Sequence, residues 1–139
     1  MAFENTAPVT PCLMRAAYRF FASFPVACFF LTVLTDVTYW QTTNLLWLHF
    51  SEWLLLAGLV FGCFAFVIAI FVLVFWKEGP SWAALLGGVF VLAAAALNSF
   101  IHTADGWTAV VPYGLATSIA TVVAMLATAW LGRKEVRHV

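Results

Sequence analysis

Six polar side chains stand out in a chain with very few charges: Asp36, His49, Glu52, Asn98, His102 and Asp105. Carboxylates and imidazoles hold protons near neutral pH and ligate metals. All six lie near the ends of long apolar runs, and no Lys or Arg falls in the same stretches. Three chemistries compete for them. In the first, they are wetted helix ends, with Asp36 bonded to the nearby hydroxyls of Thr32, Thr35 or Thr38 and Asp105 forming a turn. In the second, His49 and His102 point inward beside Asn98 and ligate haem b, since imidazoles from different helices at similar depth are what such a haem requires. A divalent metal would use the same histidines and recruit Asp36, Glu52 or Asp105. In the third, the cluster edges a quinone or docks an extracytoplasmic partner, with Trp47, Trp53 and Trp107 lining it. His138 stands apart in a basic tail and reads as a solvated, lipid-facing residue.

The elements that must position these groups follow from composition. Of 139 residues, 65% are hydrophobic and 9% are charged, against about 25% charged in ordinary soluble domains. So short a chain cannot bury that much apolar surface in its own interior. A soluble globular protein and a disordered tail are excluded, and zero net charge removes the footprint of a nucleic-acid binder. An all-α, four-transmembrane-helix bundle in a single domain remains, with spans at about 16–39, 44–76, 81–102 and 110–131, each near the roughly 20 residues that a bilayer core requires. The runs are continuously apolar, unlike the alternating strands of a membrane barrel. The second run is long, about 50 Å as a helix, so Asn44–Trp53 is a candidate interfacial segment. Cys12, Cys28 and Cys63 have no metal-ligand spacing and suggest no disulfide framework.

Orientation follows from the bases. Arg15 and Arg19 precede the first span, Lys77 lies between the second and third, and Arg133, Lys134 and Arg137 follow the fourth. The opposite connections have none, so the positive-inside rule predicts cytoplasmic termini. The Asp36–Asp105 group then faces outward. Tryptophans and tyrosines fall toward the ends of the spans, as two interfacial belts require.

Breaks and contacts are also legible. Gly79-Pro80-Ser81 reads as a turn with a fresh helix start, Asp105-Gly106 as an outer turn, Pro25 as a kink, and Pro112 as part of the fourth span's opening turn. Small residues recur at fourfold spacing: Gly58/Gly62, Ala83/Gly87, Ala84/Gly88 and Ala116/Ala120/Ala124. Such faces allow close helix approach, within the bundle or in a homo-oligomer. Thr117, Ser118, Thr121 and Thr128 are expected to bond back to their own helix. No span has an ionisable residue near its middle, which speaks against a transporter, although an oligomeric channel is an alternative. No hydrolase, phosphate-loop or zinc-protease motif is present, and the chain reads as an accessory subunit rather than an enzyme.

Two stretches carry a resemblance. One runs Phe24-Pro25-Val26-Ala27-Cys28-Phe29, through Leu34-Thr35-Asp36-Val37-Thr38-Tyr39-Trp40, to Phe50-Ser51-Glu52-Trp53. The other runs Asn98-Ser99-Phe100-Ile101-His102-Thr103-Ala104-Asp105-Gly106-Trp107, through Pro112-Tyr113-Gly114, to Trp130-Leu131-Gly132. Together they resemble the bacterial membrane-protein family called domain of unknown function 2231. The resemblance implies a four-span inner-membrane bundle, with Asp36, His102, Asp105, Gly106, Trp107 and Pro112 at matching positions. Members often stand beside redox proteins, which implies an anchor or electron-transfer subunit, associated with haem or quinone, for an extracytoplasmic redox partner. The chain departs from the pattern at Ala104 and along Ile68-Ala69-Ile70-Phe71, where relatives often carry charge; a charge pair or proton route built on those groups is missing here.

Overall fold

The computed structural model describes residues 9–76, 80–103 and 110–136. Continuous apolar runs without β-branched alternation form helices: α1 (Val9–Thr42), α2 (Leu45–Trp76), α3 (Trp82–Thr103) and α4 (Leu115–Val136), with no strand among the described residues. A short π-helical turn, Val110–Gly114, leads into α4. Four helices are long and apolar enough to cross a membrane. No more than 33% of any span is buried inside the protein, so most of each helix presents apolar side chains outward. A helix apolar on all faces belongs in lipid.

Local chemistry sets the breaks. Thr43 turns the chain with a φ of 53°, its N–H bonding to the Tyr39 carbonyl at 2.7 Å. Asn44 then caps α2, its side-chain oxygen accepting from the Leu46 N–H at 3.0 Å. Helix α2 begins at Leu45 and runs unbroken to Trp76, so the stretch up to Trp53 forms the first part of the same helix. Ser81 caps α3 by accepting from the Ala84 N–H at 3.2 Å, the helix start expected after Gly79-Pro80. Helix α1 continues through Pro25. Val111 is extended (φ −124°, ψ 119°), the conformation favoured before a proline, and Pro112 follows in the turn that opens α4. The Asp105-Gly106 turn, Lys77 and His138 lie outside the described residues.

Each helix packs on two neighbours in the order α1–α2–α3–α4 and back to α1, forming a ring. Cys28, Phe29, Leu55, Val91, Ala95 and Val122, drawn from all four helices, fill its centre. Glycines set the spacing. A Cβ on Gly58 would lie 2.4 Å from the Phe29 ring, one on Gly62 2.7 Å from Leu92, and one on Gly87 2.4 Å from Thr128. These small residues therefore face other helices of the same chain, whereas Ala116 and Ala120 are exposed.

The two ends of the bundle differ. Asp36, Ser51, His102 and Ser118 gather near one end, called here the polar end, while Arg15, Arg19 and Ser81 mark the other, the basic end. Gly58→Ala should force Phe29 out of its seat and destabilise the bundle by about 1–3 kcal/mol, the usual cost of overpacking. Ala120→Leu, at an exposed site, should stay within about 0.5 kcal/mol of the parent. Thermal unfolding in one detergent compares the two variants.

Candidate functional site

The polar end contains one connected cluster. Helix periodicity places Phe29, Thr32 and Asp36 on the buried stripe of α1, Ser51 and Leu55 on that of α2, Asn98 and His102 on that of α3, and Ser118 on that of α4. Asp36, Ser51 and Asn98 are wholly shielded, and His102 and Ser118 nearly so.

Asp36 is the hub. Its Oδ1 accepts from Ser51 Oγ at 2.5 Å and lies 2.9 Å from His102 Nε2. Its Oδ2 accepts from Ser118 Oγ at 2.6 Å. Asn98 Nδ2 donates to Ser118 Oγ at 2.8 Å, leaving Asn98 Oδ1 buried without a protein partner. Ser51 Oγ also lies 2.7 Å from Thr35 Oγ1, whose single proton is shared among Ser51 Oγ and the Leu31 and Thr32 carbonyls and serves one of them at a time. Helices α1 and α3 are not neighbours in the ring, so the Asp36–His102 bond spans its diagonal.

Proton accounting narrows the chemistry. His102 Nδ1 faces the Asn98 carbonyl at 2.9 Å, and a carbonyl only accepts, so Nδ1 bears a hydrogen. Between Nε2 and Asp36 Oδ1 there is then room for one proton. On nitrogen it makes an imidazolium beside a carboxylate; on oxygen, a neutral imidazole beside a carboxylic acid. Both arrangements have zero net charge, and they interconvert by moving one hydrogen along a 2.9 Å line. The geometry thus allows one proton on either side of this bond.

Several expectations are corrected here. Asp36 is not a wetted helix end bonded to threonines. Thr32 Oγ1 donates to the Cys28 carbonyl at 2.9 Å and Thr38 Oγ1 to the Leu34 carbonyl at 2.8 Å, both back-bonds within α1. Back-bonding holds for Thr117, Thr121 and Thr128 but not for Ser118, which turns to Asp36. His49 and His102 are not brought together. His49 sits on the surface with its side chain 63% exposed, paired with Glu52 one turn along at 3.2 Å. Both nitrogens of His102 are engaged within the protein, so a haem held by these two histidines does not fit this arrangement. Among the described residues no three of His, Cys, Asp and Glu converge as a metal site; Asp105 and Trp107 lie outside them. At this end Trp53 is exposed, and Trp47 is half-buried and packs with Tyr39 and Leu48. Ser51 and Ser118 are the Asp36 partners that the residue pattern alone did not identify. Their signal was position: each is a small hydroxyl residue on its helix's buried stripe.

The comparisons bear on the same residues. A model of the family described as Predicted membrane protein (DUF2231) matches residues 20–139. The chain belongs to this family. The matched region contains every DUF2231 residue of the cluster, from Asp36 on α1 to Ser118 on α4. No curated protein and no solved structure matches the chain.

His102→Ala should leave Asp36 short of a buried partner and destabilise the protein by about 1–3 kcal/mol, the cost of an unmet polar group. His49→Ala should change stability by less than about 0.5 kcal/mol. Unfolding midpoints of the two variants side by side check the contrast, and the oxidised and dithionite-reduced spectra of parent protein made with ample haem should show no Soret band.

Proposed function

We propose that the protein is a small inner-membrane subunit of an electron-transfer assembly, in which the Asp36–His102 pair holds and exchanges one proton beneath a face that docks an extracytoplasmic redox partner. The electrons stay with the partner. The observation that carries this reading is the carboxylate itself. Serine, threonine and asparagine can tie helices together in lipid without charge, while an aspartate inside a membrane span is costly to insert. A bundle that needed only glue would not need Asp36.

Depth supports the same reading. Asp36 lies six residues before the end of α1, about 9 Å along the axis, and His102 one residue before the end of α3. The proton is therefore held close to one membrane surface, where a partner can exchange with it. Trp40, Phe50 and Trp53 are exposed at the same end and give such a partner aromatic surface to rest on. The redox setting is what the family resemblance implies.

A second reading has its own support. All four helices meet at Asp36, directly or through one side chain, so a cofactor-free structural protein would use the cluster as a clasp. Asp36→Asn separates the two. It keeps the volume and an acceptor oxygen but cannot hand a proton to His102. Under the proton-exchange reading, partner-dependent respiration of membranes with this variant falls at least about tenfold at normal protein level and with little change in melting, the lower end for loss of a proton-transfer group. Unchanged respiration at equal protein level would leave the clasp as the cluster's whole role.

A further inference from the structure

A cleft of about 1060 Å³ opens at the basic end, remote from the polar cluster and lined by all four helices. That volume is at the top of the range of about 300–1,000 Å³ for small-molecule sites. Its walls are mainly apolar. Arg15, Arg19, Tyr18 and Ser81 line it at the basic end, and Phe29 and Val91 line it toward the central layer of the bundle.

The cleft's length identifies an occupant. From Arg15 to Phe29 is fourteen residues of α1, about 21 Å along the axis. A headgroup layer is about 5–7 Å thick and one leaflet of the hydrocarbon core about 15 Å. The cleft therefore matches one leaflet with its headgroup layer, having charge where the phosphate would lie and apolar wall where the tail would lie. Arginine at this position offers a fork of donors suited to a phosphate.

From this charge and length match, we infer that the cleft is a binding site for an anionic membrane phospholipid, its phosphate between Arg15 and Arg19 and one acyl chain running inward to Phe29. Small residues make the space. Gly62, Ala65, Ala84 and Gly88 leave room that larger side chains would fill. Three of these, Gly62, Ala84 and Gly88, belong to the small-residue faces that recur at fourfold spacing.

The test uses full-length protein in nanodiscs of equal parts phosphatidylglycerol and phosphatidylcholine, with retained lipid read by native mass spectrometry after mild release. The parent should retain phosphatidylglycerol about tenfold over phosphatidylcholine, the order expected of two basic residues at a membrane surface. Arg15→Gln with Arg19→Gln should abolish the preference. Ala84→Phe should empty the cleft, while Ala93→Phe, at an exposed position on the same helix, should retain lipid as the parent does. Equal retention of the two lipids by the parent would overturn the inference. So would undiminished lipid on a folded Ala84→Phe protein, or displacement of the lipid by inorganic phosphate alone, which would mark a simple anion site. If Ala84→Phe fails to fold, the arginine pair decides: a preference that survives its loss overturns the inference.

Discussion

One carboxylate is the point on which this bundle closes. Asp36 receives a serine hydroxyl from α2 and another from α4, and faces an imidazole from α3. Lipid gives helices no hydrophobic reason to associate, because hydrocarbon tails are as apolar as the side chains. Interhelical hydrogen bonds in membranes average about 0.6 kcal/mol and reach about 1.7 kcal/mol. Three such bonds work against the cost of placing an aspartate inside a span. The cluster thus adds little net stability, and its effect is on arrangement. Only one rotation of each helix points its polar residue at the same two oxygens.

The rest of the packing follows from that choice. With Asp36 turned to the axis, Phe29 two turns below also faces inward and rests on Gly58 of α2. With Asn98 and His102 inward, Val91 and Ala95 join the central layer. That layer divides the molecule. On one side of it lies the closed Asp36–His102 cluster, and on the other the helices part around a cleft lined at the basic end by arginines. The two ends thus present unlike chemistry to the two membrane surfaces.

Much of this was legible from the chain alone, for physical reasons. Helix positions came from uninterrupted apolar runs, and boundaries moved by only a few residues at most ends because Asn44 and Ser81 are caps that the sequence displays. The larger shift is at the start of α1, which extends back to Val9 because Pro11 falls in the first turn, where its missing N–H costs no helical bond. Asp36 and His102 stood out because ionisable residues in apolar runs are rare.

What the sequence could not supply was rotation. Ser51 and Ser118 are ordinary residues until the packing aims them at Asp36. His49 and His102 look alike in type and depth, yet one lies on the surface against Glu52 and the other is sealed in the core. With one histidine on each helix, spacing cannot distinguish them. The Asp36–His102 hydrogen bond lies inside a closed, solvent-shielded cluster. Nitrogen-15 NMR of histidine-labelled protein in bilayers tests it most directly. The account predicts a His102 ring whose N–H protons exchange with solvent orders of magnitude more slowly than those of His49, and whose Nε2 resonance moves when Asp36 is replaced by Asn. A His102 ring that exchanges as fast as His49 and ignores that replacement would contradict it.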